Sequence, residues 1–229
     1  MALILNIETT TTNCSVSLVR GGEIIALRTQ NEARYSHAET LHLFIKEAAA
    51  EASVSLDELD AVAVSKGPGS YTGLRIGVSA AKGLCFALDI PLISVDTLRT
   101  LALQCSIAKG CIVPLLDARR MEVYSAVFDQ DYQQLRATQA EVVSPASFSG
   151  YMEKTEVYFL GPGAEKCKTV ITHPNARFRE YASFPSAREM APLSEAAFKA
   201  GRFEDIAYFE PYYLKDFVAG KQIGTKAGI

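Results

Sequence analysis

Two stretches of this sequence follow the same pattern: LILNIETTTTNCSVSLVRGGEI, residues 3–24, and CIVPLLDARRMEVYSAVFDQDY, residues 111–132. Each begins with a continuous apolar run, which is typical of a strand buried on both faces. An acidic residue, Glu8 or Asp117, ends the run, and a polar turn leads into the alternating pattern of a second strand. We interpret the repetition as a duplicated β-β-β-α-β-α unit. Two α/β lobes that simply open on similar hairpins are the alternative.

Two helices are predicted in the first half of the chain. One follows Ser36, which can cap it, and covers HAETLHLFIKEAAAEA, residues 37–52. The other follows a glycine-rich turn within GPGSYTGLRIGVSAAKGLCFALD, residues 67–89. In the second half, Pro192 lies inside an apparent helix and predicts a split or a kink, because proline has no amide hydrogen to donate.

This pattern divides the chain into two α/β lobes. We expect an N-terminal lobe at residues 1–104, which carries both helices, and a C-terminal lobe at residues 105–217. The tail at residues 218–229 is rich in glycine and lysine and has few apolar side chains to bury. We therefore expect the tail to be mobile.

The composition bounds the environment of the protein and its partners. The formal net charge is -3, so the chain lacks the basic excess of a protein that binds nucleic acid by itself. The five cysteines are scattered and odd in number, which favours reduced thiols over a disulfide frame. Neither a signal-peptide pattern nor an apolar run of about 20 residues is present. We therefore expect a cytoplasmic protein that does not enter the membrane.

Two turns are candidates for binding phosphate, as in a nucleotide such as ATP or ADP. Such a turn needs small residues whose amide groups point at the anion, and a helix N-terminus favours the same charge. The glycine-rich turn lacks the spacing of a P-loop, and the turn after Asp117 is bulky. Ordinary strand turns and a tightly packed strand-to-helix turn are therefore the alternatives. The candidate contacts are Thr9, Thr10, Gly69, Ser70, Tyr71 and Thr72.

Metal binding and covalent catalysis find little support in the sequence. His37 and His42 are five residues apart, which places them about 140° apart around a helix, whereas helical zinc pairs share one face. No Gly-x-Ser-x-Gly elbow is present. We predict no metal site, no required cofactor and no catalytic residue.

The helix after the glycine-rich turn is apolar on nearly every side. Its only charged residues are Arg75 and Lys82. A helix of this kind is normally buried nearly all round, but one sheet covers only one face. Each large apolar side chain left in water forgoes about 1.5–3 kcal/mol of burial. The composition therefore predicts a partner on the outer face, with the second lobe of the chain itself as the alternative cover.

Several motifs resemble those of the bacterial TsaB (YeaZ) family, in the right order and over nearly the whole chain. They are LILNIETTTTNCSVSL, SHAETL, GPGSYTGLRIGVSAAKGL, PLISVDTL, DARRMEVYSAVF and EPYYLK. Glu8 departs from the family, which usually has aspartate there, and a longer acid counts against a metal or nucleotide role. The resemblance implies an actin-like ATPase (ASKHA, ribonuclease H-like) α/β fold of two lobes.

The resemblance also implies a function. TsaB is a non-catalytic partner of TsaD, which transfers threonylcarbamoyl to the adenosine beside the tRNA anticodon, and TsaE joins that pair. We therefore expect a scaffold or activator subunit that meets tRNA only through the complex and that can form a homodimer when alone. A glycoprotease-type metallopeptidase and a nucleotide-binding regulatory protein are the alternatives.

The family forms its dimer surface from its first two helices. On this chain the matching segments are residues 37–52 and 72–88. The expected interface residues are His37, Leu41, Phe44, Ile45, Ala48, Leu74, Arg75, Val78, Ala81 and Lys82.

Overall fold

The computed structural model describes residues 1–32, 37–179 and 184–215. The cap expected at Ser36 and the tail at residues 218–229 lie outside these ranges. The described chain contains two five-stranded sheets. The first is built from β1 (Leu3–Glu8), β2 (Asn13–Arg20), β3 (Glu23–Asn31), β4 (Ala61–Gly67) and β5 (Leu92–Asp96).

The second sheet repeats the topology of the first. Its strands are β6 (Cys111–Asp117), β7 (Glu122–Asp129), β8 (Gln134–Val142), β9 (Val157–Leu160) and β10 (Ala176–Phe178). The strand orders are β3-β2-β1-β4-β5 and β8-β7-β6-β9-β10. In each sheet the first three strands form an antiparallel meander and the last two are parallel to the first. The chain therefore has the predicted actin-like α/β fold, with its strand pattern present twice.

The helices are not repeated as faithfully as the strands. The first half contributes α1 (His37–Ala52), of 16 residues, and α2 (Tyr71–Leu88), of 18 residues. At the same places in the second half, α4 (Ser149–Met152) and α5 (Ala164–Cys167) have four residues each. The two helices predicted to be rich in apolar surface are thus a property of the first lobe alone.

Two further helices cross between the sheets. The first, α3 (Thr97–Ala102), follows the first sheet, but its Leu98 and Leu101 pack with Ile112 and Phe128 of the second sheet. The other, α6, follows the second sheet and packs on the first sheet instead. Each half of the chain therefore supplies a helix that covers the sheet of the other half.

The helix α6 (Ala187–Lys199) runs through Pro192 without interruption. Its Ala187 and Met190 pack against Ile4 and Ile93 of the first sheet. The predicted split at Pro192 is wrong, because this side chain lies on the exposed face of a helix whose other face is held by the sheet.

The faces of β1 divide the first lobe into two layers. Leu3, Leu5 and Ile7 point into the cluster formed with α1 and α2, whereas Ile4 points towards α6. None of the helices in the described ranges is long and apolar enough to cross a membrane.

Candidate functional site

The glycine-led start of α2 lies directly against the turn between β1 and β2. A Cβ atom at Gly69 would come within 2.5 Å of the Thr10 carbonyl oxygen, and one at Gly73 or Gly77 would collide with Thr9. Gly73 and Gly77 are four residues apart and so share one helix face, and Gly69 lies just before the N-cap residue Ser70. They allow the Thr9 hydroxyl to donate a hydrogen bond to the Gly73 carbonyl at 2.7 Å. The glycine pattern is therefore explained by close packing, the alternative that the sequence left open.

The acid at the end of β1 is buried and fully engaged. Glu8 has an exposed fraction of 0%, and its Oε1 accepts hydrogen bonds from the Thr10 amide at 2.7 Å and the Thr10 hydroxyl at 2.5 Å. The Ser65 hydroxyl donates to Oε2. Burial raises the pKa of Glu8, against these hydrogen bonds, which lower it. The Thr10 amide and hydroxyl, in the turn between β1 and β2, therefore bind the protein's own Glu8 carboxyl group and are not directed at a phosphate.

A lysine occupies the corresponding turn of the second lobe. The Lys166 ammonium donates to Asp117 Oδ1 at 2.8 Å, to the Arg120 carbonyl at 2.8 Å and to the Glu122 carbonyl at 2.6 Å. Asp117 also accepts from the Arg119 amide at 2.7 Å. In an actin-like ATPase the two acids at these positions hold a hydrated metal, but here each acid is already paired.

A cavity of about 760 Å³ lies between the two turns. The walls come from both lobes and from the C-terminal segment, defined here as residues 204–215. The cavity is lined by Thr10, Thr11, Thr12, Pro68, Gly69, Ser70, Tyr71, Thr72, Leu74, Leu116, Asp117, Ala118, Arg119, Tyr124, Pro162, Phe184, Tyr212, Tyr213, Leu214 and Lys215. The structure thus brings five of the six predicted phosphate contacts to one cavity.

The predicted contacts differ in what they can still bind. Thr9 is excluded, because it is 1% exposed and bonded to Gly73. Thr10 lines the cavity, but its amide and hydroxyl donate to Glu8. The Ser70 hydroxyl caps α2 by accepting from the Gly73 amide at 3.3 Å. Tyr71 and Thr72 face the cavity from the first turn of α2.

The C-terminal segment supplies cavity residues that were not predicted. The Tyr213 ring lies 5.0 Å from the Tyr71 ring, centroid to centroid. The Arg75 guanidinium also lies over the Tyr71 ring, 5.5 Å from its centroid. Lys215 forms an ion pair with Glu122 of β7 and so joins the segment to the second lobe. The EPYYLK motif was the only sequence signal for these contacts, and it indicated the family without indicating a place.

Most of the predicted interface residues belong to the core of the first lobe. Those with exposed fractions of 8% or less are His37, Leu41, Phe44, Ile45, Ala48, Leu74, Val78 and Ala81. The structure corrects their assignment to a partner surface, because six of them pack in the core cluster under the first sheet. Of the other two, His37 contacts the Thr11 carbonyl and Leu74 lines the cavity. Lys82 is also engaged, since its ammonium donates to the Phe209 carbonyl at 3.1 Å.

The outer face of the same two helices carries different residues. Phe86 of α2 is 83% exposed and Leu43 of α1 is 51% exposed. Half-buried apolar side chains of α2 lie beside the core: Ile76, Ala80, Leu84 and Leu88. We define the outer helix face as Leu43, Ile76, Ala80 and Phe86 together with the exposed Arg75. Of the predicted interface residues, Arg75 alone lies on this face.

The described ranges contain no group of three or more metal-binding side chains of the His, Cys, Asp or Glu type. His37 Nε2 lies 2.6 Å from the Thr11 carbonyl, and burial lowers the pKa of this imidazole. Burial also raises the pKa of the Cys14 thiol to about 12, and that of Cys85 and of Cys167 to about 11. These thiols therefore stay protonated at neutral pH, which makes them poor nucleophiles.

The chain is similar to proteins of one tRNA-modification route. Residues 29–222 match the family model described as TsaD: tRNA N6-adenosine threonylcarbamoyltransferase. The chain is 29% identical to the tRNA threonylcarbamoyladenosine biosynthesis protein TsaB of Escherichia coli (strain K12), over 97% of this chain and 99% of that protein. The chain belongs to the TsaB (YeaZ) family. The TsaB protein of Haemophilus influenzae is 28% identical, with 96% of each chain covered.

Solved structures agree with this family. YeaZ from Pseudomonas aeruginosa superposes with a TM-score of 0.75 at 26% identity, over 93% of this chain and 100% of that chain. A second structure, described as an uncharacterized protein with similarity to peptidase YeaZ from Pseudomonas aeruginosa, has a TM-score of 0.82 at 27% identity, over 94% of this chain and 100% of that one. The resemblance predicted from the motifs is confirmed, and the TsaB relatives give this chain a role in tRNA threonylcarbamoyladenosine biosynthesis.

The similarity extends to a transferase of the same route. The tRNA N6-adenosine threonylcarbamoyltransferase of Bacillus thuringiensis (strain Al Hakam) is 35% identical in an alignment of 108 residues that covers 41% of this chain and 32% of that protein. A TsaB-family chain and this transferase thus share one lobe-sized stretch of sequence.

Proposed function

We propose that this chain is a non-catalytic subunit that binds a TsaD-type transferase through the outer helix face. The observation that carries the proposal is the exposure of Phe86 and Leu43, at 83% and 51%. Full burial of one such side chain is worth about 1.5–3 kcal/mol. Aromatic side chains on a partly apolar face are also the residues that most often dominate an interface.

The length and placement of α2 suit a docking element. The helix has 18 residues, so it is about 27 Å long at 1.5 Å per residue. Phe86 lies near its C-terminal end, and α1 packs beside it on the same side of the sheet. The small exposed residues Ser79 and Gly83 lie between Arg75 and Phe86. A partner helix can approach closely over such residues.

The state of the inter-lobe cleft supports a role without catalysis. The Glu8 carboxyl group accepts hydrogen bonds from Thr10 and Ser65, and Asp117 is paired with Lys166. A hydrated metal needs carboxylate oxygens that can give up their protein partners. A subunit that retains the actin-like fold but has both acids paired within the protein is suited to shaping a complex. TsaE would join that complex with the transferase.

The same face also suits a homodimer when the transferase is absent. A two-fold contact uses one patch on both copies, so an exposed apolar patch is self-complementary. Homodimer and heterodimer would then compete for Phe86. This competition predicts that the transferase converts any homodimer into a heterodimer.

The test compares two exposed apolar residues. Phe86 of α2 is 83% exposed and Val142 of β8, in the second sheet, is 69% exposed. Phe86→Glu should abolish co-elution with a TsaD-type transferase in size-exclusion chromatography and should lower tRNA modification by the reconstituted set of proteins. Val142→Glu should change neither. If Phe86→Glu leaves both the heterodimer and the modification intact, the assigned face is wrong.

A second measurement separates docking from catalysis. The transferase alone, the transferase with this chain, and this chain alone are each supplied with tRNA and the threonylcarbamoyl donor. The proposal expects no product from this chain alone and a higher rate when it is added to the transferase. Turnover by this chain alone would contradict a non-catalytic role.

A further inference from the structure

The turn between β6 and β7 has an unusual backbone that the proposed docking role does not use. Arg119 and Arg120 are consecutive residues with positive φ angles, 74° and 50°. A residue other than glycine in such a conformation destabilises the fold by about 1–3 kcal/mol, and residues held this way cluster at functional sites. The turn therefore holds this backbone against a local cost, with Arg119 in the lining of the inter-lobe cavity and Arg120 next to it in the chain.

The charges of these arginines are not neutralised by the acids beside them. Asp117 is paired with Lys166, and Glu122 is paired with Lys215. Among the residues that the structure describes, neither Arg119 nor Arg120 has a hydrogen-bond or ion-pair partner for its side chain. A chain with a net charge of -3 thus presents a local cluster of positive charge where the cavity opens.

Aromatic residues form another part of the cavity lining. Tyr71 and Tyr213 form a tilted pair 5.0 Å apart, with Arg75 placed over Tyr71. Tyr212 and Tyr213 are 41% and 39% exposed, so both of these rings retain surface that can be covered. Thr72 is an exposed residue of the same lining and carries a hydroxyl group. Half-exposed tyrosines and a guanidinium group in one cavity suit a ligand with a planar base and a phosphate.

We propose that the mouth of the inter-lobe cavity binds an unpaired nucleotide of a single-stranded RNA segment. The base stacks on Tyr213, and the backbone phosphates lie against Arg119 and its neighbour Arg120. The RNA source rests on the proposed function, because that function places the chain in a complex that modifies tRNA.

The two strand turns beside the cavity argue against a free nucleoside triphosphate. The Thr10 amide donates to Glu8, and the Lys166 ammonium donates to Asp117 and to two carbonyl groups of the second turn. At these two turns, a triphosphate with its metal would find neither a cradle of free amides nor an unpaired acid.

The proposed RNA contact and Phe86, the docking residue that is tested, lie at opposite ends of α2. Tyr71 begins the helix and Phe86 lies near its last turn. Variants of the cavity mouth should therefore weaken RNA binding without loss of the heterodimer. This separation distinguishes failure of the RNA proposal from failure of the docking proposal.

The experiment uses the full chain in complex with the transferase and measures the affinity for fluorescently labelled tRNA transcript. Arg119→Gln combined with Arg120→Gln should raise the Kd by roughly 5- to 50-fold. The double variant should also make the slope of log K against log salt less steep by about 1.4, since each phosphate contact in single-stranded nucleic acid contributes about 0.7. Arg202→Gln, at an exposed position away from the cavity, is the matched charge control and should leave both quantities unchanged.

Stacking is tested separately from charge. Tyr213→Ala should raise the Kd for tRNA by roughly 5- to 100-fold, because stacking on an aromatic side chain is worth about 1–3 kcal/mol per base. Tyr213→Phe keeps the ring and should bind like the parent. Tyr208→Ala is the control in the same segment.

Three results would overturn the proposal. The first is an unchanged Kd and salt slope in the double arginine variant, with heterodimer formation and melting temperature equal to those of the parent. The second is a Kd of Tyr213→Ala that Tyr213→Phe does not restore. The third is competition in which AMP or ATP displaces the labelled tRNA at micromolar concentration, since a free nucleotide would then be the ligand.

Discussion

Gly73→Ala and Gly83→Ala are the same substitution in the same helix, and they should change the stability of this protein in opposite directions. A Cβ at Gly73 would overlap the Thr9 carbonyl, whereas a Cβ at Gly83 has no atom within 4 Å. Overpacking of this kind costs about 1–3 kcal/mol, and movement of α2 would also strain the Thr9–Gly73 hydrogen bond, worth about 1 kcal/mol. Alanine gains about 1 kcal/mol over glycine within a helix.

The expected free energies follow from these terms. Gly73→Ala should lower the free energy of unfolding by about 1–3 kcal/mol, and Gly83→Ala should raise it by about 0.5–1 kcal/mol. In a chain of 229 residues, 1 kcal/mol corresponds to a shift in Tm of about 2–4 °C. Urea unfolding and differential scanning calorimetry of the isolated protein give both quantities. If both variants stabilise the protein, α2 does not rest on the β1–β2 turn as described.

Two further substitutions test the engaged acids. Burial raises the pKa of Glu8 above its ordinary value of 4.5, so its contribution to stability is present below that pH and is lost as the pH rises through the higher folded-state pKa. Glutamine resembles the protonated acid, so the stability of Glu8→Gln should rise relative to that of the parent as the pH rises. Urea unfolding of both proteins from about pH 4.5 to about pH 8 measures this difference. A constant difference would mean that folding is not linked to protonation of Glu8. Lys166→Ala should cost about 2–3 kcal/mol, since its ammonium makes three short contacts at a side-chain exposure of 19%. Lys46→Ala, at an exposed position of α1, should cost about 0.5 kcal/mol or less. Equal costs in the two lysine variants would contradict a special role for Lys166.

Much of the fold could be predicted because it is written in local patterns. The buried run of β1 and the alternation of β2 each depend on residues close together in the chain. The shortening of α4 and α5 was harder to foresee, because the FLGPGAEKC and SFSGYMEK stretches carry too few residues to display a helical period.

The site was harder to predict than the fold because its contacts join distant parts of the chain. Asp117 and Lys166 are 49 residues apart in sequence, and Glu122 and Lys215 are 93 apart. Composition also showed that α2 is apolar on nearly every side without showing which side meets the sheet. Both Val78 and Phe86 are apolar, so either could be the residue that faces the sheet. In the structure Val78 is 5% exposed and Phe86 is 83% exposed. The glycines at positions 69, 73 and 77 were the local signal for the buried side.

The exchange of α3 and α6 between the two sheets has a consequence for how the chain is made. On the ribosome, the strands of the first sheet are complete once Asp96 has emerged, but one of their faces is covered by residues 187–199. The helix that covers Ile4 and Ile93 is therefore synthesised only after about ninety further residues. At roughly 5–20 residues per second this takes several seconds. During that interval the nascent first lobe exposes an apolar face to chaperones, and a transcript cut before α6 would encode an aggregating product instead of a half-size domain.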